Sequence, residues 1–496
     1  MAIIPYSMTF ALGILLVGGS LIYVFKGVLD RETDYAGLIA IVLVVVAAAL
    51  LLTNFPDVIT QSEKMPEEIY AWSDTLGSIG LRLDQVSYPI TFAVVLLGVL
   101  ATIYAFGYVK HEHSRPSYWA NQVTFIGGML GVCLATNLVE FYIFWEIMLV
   151  PSYFLILYWG TPAQAKRISM KYFLFTHAGA VLIIIGFALT YDIAGTFDMR
   201  TLAQALTTAT PAAQTLRIIF LLLVIGFAVK MAVFPVHTWL PDAHAEAPTP
   251  ISMLLSGVMI ETGAYAFLRF GGIFFNKSLT WYSQSLALIG VATMWYGGIM
   301  ALVQTDLKRL LAYSSVSQMG YIFFGLSVAT FSGFAGSLTH IIAHTCGKGL
   351  LFGMAGVVMH ETGFRDLNRL GGLSSRMPYT ATAAVIGALS IAGAPPLFGF
   401  QSEWLIFRGG FEAGFTVLTL AAVLSTIVSA GYMLRLLWKV FLGPLPEHLE
   451  ETEEGLKSMV IPLTILAAVI VILGIWPSFV HRVIVPAADY VAAFLS

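Results

Sequence analysis

The chain has 496 residues, of which 58% are hydrophobic and 11% charged, and its mean hydropathy is +0.84. A charged share below half of the roughly 25% found in soluble domains excludes a water-soluble globular protein, and a net charge of −3 without a basic cluster excludes a nucleic-acid binder. Two cysteines far apart in apolar segments, Cys133 and Cys346, exclude a disulfide framework, an iron–sulfur cluster held by this chain alone and a Cys-type zinc site.

A helix needs about 20 mostly apolar residues to cross hydrocarbon. That ruler predicts an all-α polytopic membrane protein of about fourteen spans. They fall at 5–26, 35–54, 87–109, 118–136, 138–159, 168–190, 215–235, 250–270, 281–303, 308–329, 333–359, 379–409, 413–441 and 458–478. The first span carries no basic stretch ahead of it, so it reads as a membrane helix and not as a cleaved signal peptide. The tail 479–496 is amphipathic and reads as interfacial.

Lysines and arginines divide unevenly between the loops. Loops leaving odd-numbered spans hold fifteen, from Lys26, Arg31 and Lys110 to Lys457. The opposite side holds eight, among them Lys64, Arg82, Arg200 and Arg269. The bias puts the odd-to-even loops in the cytoplasm and both termini outside a cell membrane.

Two spans carry breaks. The seventh is interrupted near Pro235 and followed by HTWLPDAHAEAPTP, and the twelfth at Pro395 and Pro396 in AGAPPLFGFQSEW. Proline removes a backbone donor and frees carbonyls at membrane depth. Breaks at matching places in two halves point to an inverted-repeat transporter. The reading is N-terminal helices 1–3 in 1–110, a first five-helix repeat in 118–270, an inverted second in 281–441, and helix 14 with its tail in 458–496.

Inside these spans lie groups that hydrocarbon penalises by a few kcal/mol each unless they are paired, hydrated or used. Glu146 sits amid Phe, Trp, Met and Leu in LVEFYIFWEIMLVPSYF, and Glu140 lies nearer the helix start, where it is either a station or an interfacial group. Lys230 stands one turn before the break at Pro235, where water and freed carbonyls reach it. Burial makes its ammonium costly and so turns it into a workable proton donor and acceptor. Glu261, flanked by Gly257 and Gly263, is a protonated carboxyl, a partner for Lys230 or a relay.

His340, His344 and Lys348 recur every four residues, which aligns them on one helical face over about 12 Å. Such a column suits a proton relay better than zinc, because Ile341 stands where an HExxH site needs glutamate. Glu403 after the second break is a proton exit or an N-terminal charge favoured by the helix dipole. His237, Asp242, His244 and Glu246 cluster after the first break, but prolines at 235, 241, 248 and 250 make this a stiff linker and not a metal site, with Asp242 as a helix-terminus cap. His177 links Glu146 to Lys230 or simply packs.

Four stretches carry a resemblance: FWEIMLVPSYFLI, GFAVKMAVFPVHTWLPDAHAEAPTPISMLLSG, LKRLLAYSSVSQMGY and HIIAHTCGKGLLFGMAG. Together they resemble the antiporter-like proton-pumping subunits of respiratory complex I. They are also similar to large subunits of multisubunit sodium/proton antiporters, of membrane-bound hydrogenases and of the archaeal deazaflavin-dependent dehydrogenase. Length and the lack of a long lateral helix suggest the chain M type.

The resemblance implies fourteen helices, two inverted repeats and proton translocation driven by redox chemistry in partner subunits. Quinone, flavin or deazaflavin and iron–sulfur clusters are then expected in those partners, and none in this chain. It implies that Glu146 and Lys230 form the family's Glu–Lys pair, that Lys348 is the central-axis lysine and Glu403 the terminal glutamate. Where the family usually has lysine, in GLLLKTGAY, this chain has Glu261. Further membrane and peripheral subunits, lipid and protons are the implied partners, with Na⁺ as the alternative cargo.

Overall fold

The computed structural model describes residues 4–494 apart from 31–33, 60–64, 111, 162 and 210. Arg31 and Lys64, both used in the loop-charge reading, lie outside the described residues.

Each of the fourteen predicted spans has helix at its place. Among the described residues, eleven helices are long and apolar enough to cross a membrane, from Ser7–Val24 to Lys457–Ile475. Arg115–Leu134 and Leu307–Ser327 are less apolar, and both are almost wholly buried by neighbouring helices. Their serines and glutamines face protein instead of lipid, which is why a polar composition is tolerated there. Two other helices, Thr249–Gly272 and Phe331–Thr362, are shut off from the outside along the whole of their apolar windows. Phe331–Thr362 is the hub, packed by Ser87–Tyr108, Leu307–Ser327, Pro378–Ile391, Phe398–Glu412 and Lys457–Ile475.

Both predicted breaks are present. The first comes earlier than expected. Helix Ala213–Lys230 ends at Lys230 itself, and irregular chain runs on to the short helix Leu240–Glu246. Lys230 is thus the last helical residue and not a mid-helix one. The second break separates Pro378–Ile391 from Phe398–Glu412.

The helix Thr249–Phe274 departs from α geometry twice, with π-turns at Leu255–Met259 and Leu268–Phe274 around the α segment Ile260–Phe267. A π-turn leaves a carbonyl short of its usual partner. At the first, Thr345 Oγ1 donates to Gly257 O at 2.5 Å, tying this helix to Phe331–Thr362. Gly257 matters here because a Cβ would stand 3.3 Å from Thr345 O and closer still to Leu97.

A hairpin and a short amphipathic helix escaped the sequence reading. Strands Glu67–Ser73 and Gly77–Arg82 form an antiparallel hairpin. They are too short and polar for a 20-residue apolar ruler to register. Glu68 accepts from Met8 N at 3.0 Å and Thr9 N at 2.8 Å, capping the first helix. A loop expected after the sixth span contains the amphipathic helix Met199–Ala209. The tail, expected to lie along the interface, is the helix Pro477–Ala492, which buries Val480, Ile484, Ala487 and Val491 and packs on Phe331–Thr362. One side of its apolar stripe thus packs on protein, while Phe479 and Tyr490 stay exposed.

A buried ion pair closes the end of the molecule near the hairpin. Arg269 donates to both Asp84 oxygens at 2.8 and 2.9 Å, and to Tyr265 Oη, which in turn donates to Cys133 O at 2.9 Å. Burial alone would raise the Asp84 carboxyl, but the Arg269 guanidinium overrides it and holds the group at about 2. An unfolded aspartate titrates near ~4, so the stabilisation is complete above that value and is lost as the pH falls through about 2. Arg269→Ala should cost about 3–5 kcal/mol, because it strands a buried carboxylate. The check is the unfolding midpoint of the detergent-solubilised protein at neutral pH. An unchanged midpoint would show that the pair holds nothing together.

Candidate functional site

The Lys230 environment is built by three helices. Lys230 is 2% exposed, and its Nζ makes no hydrogen bond among the described residues. The Trp145 ring lies beside it, with Nζ 5.1 Å from its centroid. An ammonium over an indole face keeps part of the stabilisation that water would give. Glu146 acts on Lys230 electrostatically, but its carboxylate is engaged elsewhere: Oε2 lies 3.3 Å from His177 Nδ1. The expected Glu146–Lys230 contact is therefore open. His177 competes for the carboxylate because its helix, Ala165–Ala194, brings the ring to the Glu146 face of Leu138–Trp159.

Glu140 is placed differently. It accepts from Gly80 N and Thr136 N, each at 3.2 Å, and so clamps the hairpin to the start of Leu138–Trp159. Both donors reach the one oxygen Oε2, so the carboxylate holds the hairpin and the helix start together.

Glu261 lies between the two π-turns and is fully buried, as is His344. Glu261 Oε1 and His344 Nδ1 are 2.6 Å apart. The contact is close but poorly aimed, since neither group makes a directed hydrogen bond. Of the three roles open to Glu261, partnership with Lys230 is not drawn: its neighbour is the imidazole. A carboxyl and an imidazole this close can hold one proton between them, as acid with neutral ring or carboxylate with imidazolium.

His340, His344 and Lys348 do share a face of Phe331–Thr362, yet each turn meets a different element. The His340 ring nitrogens reach Ser402 Oγ at 2.8 Å and Gln318 Oε1 at 2.9 Å. Lys348 Nζ donates to Ser314 Oγ and, at 3.3 Å, to Leu311 O. Beyond His340, its ring stacks on Tyr321 with centroids 5.9 Å apart, and Tyr321 Oη pairs with Ser425 Oγ at 2.7 Å.

Glu403 is buried beside the second break, and its Oε1 has no partner among the described residues. Its carboxyl fills the space left by Gly393, where a Cβ would lie 2.9 Å from Glu403 Cδ. Gly393 also has φ +68°, a left-handed conformation that favours glycine. The side chain thus turns back into the break instead of capping the helix.

The acids and histidines of the linker after the first break are dispersed among separate partners. Asp242 pairs with Lys171 and Arg309 at 2.7 Å each, Glu246 faces Arg365 at 3.7 Å, His244 stacks on Phe352, and His237 packs against Tyr296 at 4.6 Å. Lys308, not singled out from sequence, is buried and donates to Ala247 O. Gln318, Ser402, Ser314 and Trp145 were also missed. Only the polar interior of LKRLLAYSSVSQMGY hinted at the first and third, since serines and a glutamine in a membrane helix need partners.

Comparison with known proteins follows the same lines. A family profile described as "NADH:quinone oxidoreductase/Mrp antiporter, TM" matches residues 135–429. NADH-quinone oxidoreductase subunit M of Pseudomonas aeruginosa is 33% identical over 419 residues, covering 82% of this chain and 81% of that one. One subunit of the Na(+)/H(+) antiporter of Alkalihalophilus pseudofirmus is 33% identical over 463 residues, covering 87% of this chain and 57% of that one. A chain in the membrane-bound sulfane sulfur reductase, an archaeal respiratory membrane complex, superposes with TM-score 0.87 at 27% identity over 96% of this chain and 77% of its own. The chain belongs to the family of antiporter-like, proton-translocating membrane subunits, whose members work beside other membrane subunits.

The Gly393 geometry yields a test. Gly393→Ala pushes the Glu403 carboxyl out of the break, and should lower proton uptake by the assembled complex at least ~10-fold, the scale of about 1.4 kcal/mol. Shortening the acid in Gly393→Ala with Glu403→Asp should recover part of it. Normal uptake by the single variant would detach Glu403 from the function.

Proposed function

We propose that the chain moves protons across the membrane within a respiratory dehydrogenase complex, through a buried row running from Lys230 by Glu261 and His344 to His340 and Glu403. The observation that carries this reading is the 2.6 Å approach of Glu261 and His344 on the two helices closed to lipid. A charge with no lipid or water contact is expensive, so groups that can share one proton suit a relay better than a fixed strut.

In this reading Lys230 receives its proton from the side of its break. Separation of Glu146 from Lys230 withdraws a favourable charge. At an effective dielectric of ~20 and about 4 Å, that contact amounts to about 4 kcal/mol, enough to drive the ammonium to give up its proton. Glu261 and His344 take it, Lys348 holds the balancing charge against Ser314, and His340 passes it by Ser402 toward Glu403. Glu261 replaces the second lysine of the usual handoff, so an acid–imidazole pair does what two amines do in relatives with lysine there.

The redox chemistry belongs to partner subunits, which hold the quinone, the flavin or deazaflavin and the iron–sulfur clusters. The odd-to-even loops, where Lys171, Arg309 and Arg365 meet Asp242, Asp306 and Glu246, face the cytoplasm of a cell membrane, and both termini lie outside. The two five-helix repeats, 118–270 and 281–441, are inverted about the membrane plane, each with its own break. A second reading, sodium/proton antiport without redox partners, draws on the likeness to the sodium/proton antiporter; it requires Na⁺-dependent proton movement.

The test is proton uptake by vesicles holding the intact complex. Lys230→Ala should reduce uptake to background while electron transfer continues, and retained uptake would remove Lys230 from the path. Glu261→Gln should abolish uptake and Glu261→Lys should preserve it. If the glutamine variant pumps normally, Glu261 is a bystander.

A further inference from the structure

At the end of the molecule away from the hairpin, a cleft of about 360 Å³ is lined by Gln164, Arg167, Ile168, Lys171, Asp242 and Arg309. Three cations face one carboxylate there. Asp242 takes a single donor from Lys171 and one from Arg309, each at 2.7 Å. Lys171 spends a second on Thr238 O at 2.8 Å. One ammonium hydrogen, most of the Arg309 guanidinium and all of Arg167, which has no ion pair among the described residues, are left over. A guanidinium fork and neighbouring ammonium donors match the oxygens of a phosphate.

The local sequence breaks a rule in a way that an anion would repair. Helix Ala165–Ala194 opens with Lys166 and Arg167, has no acidic residue in its first turn and no side-chain cap. Cations at a helix N-terminus oppose the macrodipole. Below the cleft the same helix turns an apolar strip outward: Met170 is 43% and Leu174 58% exposed. Arg167, Lys171 and Leu174 follow one another at three- and four-residue spacing, so the cationic and apolar surfaces form one stripe.

We propose that the cleft is a phosphate-binding site that seats the headgroup of an anionic phospholipid, with an acyl chain lying along Met170 and Leu174. A basic pocket between membrane helices at the bilayer surface is the kind of place such headgroups occupy. The strip is what selects a lipid over a free phosphate ion. The bound headgroup joins Arg167 to Lys171 and Arg309. Through Asp242 and Thr238 it therefore touches the chain that follows Lys230, and it fastens the first break to helices Ala165–Ala194 and Leu307–Ser327.

The experiment uses the intact complex, with p-benzoylphenylalanine in place of the exposed Gln164, in nanodiscs of phosphatidylcholine containing a minor share of phosphatidylglycerol. After illumination, mass spectrometry identifies what is attached at that position. The site predicts phosphatidylglycerol adducts well above its bulk share. Arg167→Gln should cut that excess roughly fivefold, the effect of one basic residue at a bilayer surface, and Arg167→Lys should keep most of it. Adducts in bulk proportion, or an excess indifferent to Arg167→Gln, overturn the proposal. So does attachment to a neighbouring subunit, which would make the cleft a protein contact. Loss of the excess in millimolar inorganic phosphate would assign the cleft to a soluble anion and overturn the lipid.

Discussion

The contact between Glu261 and His344 is fully buried within the chain, and much of the surrounding architecture follows from that. Two ionisable groups in such a place are tolerable only if they face each other and if the backbone around them is otherwise satisfied. Both conditions require helices Thr249–Phe274 and Phe331–Thr362 to approach closely. Gly257 permits the approach, and Thr345 Oγ1 donates to Gly257 O within the first π-turn. The second π-turn leads into the Arg269 pair, which fixes the far end of the same helix against Asp84. The helix that carries the acid is therefore held at both of its irregular turns, and Glu261 keeps its place between them.

The two breaks do complementary work around this centre. The first ends a helix at Lys230 and places an ammonium at an unwound stretch, where the chain is free of the regular hydrogen-bond ladder. The second leaves room at Gly393 for the Glu403 carboxyl. Between them the hub helix presents a titratable group on three successive turns, and each turn is received by a different neighbour: Ser402 and Gln318, Glu261, then Ser314 and Leu311. Regular helix supplies spacing here, and irregular chain supplies the places where protons can change hands.

The spans, both breaks and the intramembrane acids and bases were legible because hydrocarbon imposes a strong and local rule. Twenty apolar residues make a span, and any charge within one stands out. What could not be read was partnership. Glu146 and Lys230 both stood out, but the competition of His177 for the carboxylate depends on how helix Ala165–Ala194 is rotated, which composition does not encode. Glu140 showed no sign in its own segment of tying two elements together, because one of its two donors belongs to a hairpin sixty residues earlier. The hairpin was invisible to an apolar ruler. Gln318 and Ser402 are ordinary polar residues until the fold sets them against His340. The tail showed its amphipathic stripe, but the sequence could not say whether protein or membrane would cover it.

The arrangement at Lys230 gives the last step. Glu146 has two counter-groups within its reach, the His177 imidazole it touches and the Lys230 ammonium it acts on across a gap. His177 is partly exposed, with 42% of its side chain accessible, whereas Lys230 is sealed against Trp145. Protonated, His177 competes for the carboxylate; neutral, it offers only a weak hydrogen bond, and the carboxylate is free to turn to the lysine. Whatever packs against helix Ala165–Ala194 therefore meets the His177 ring before it meets Lys230.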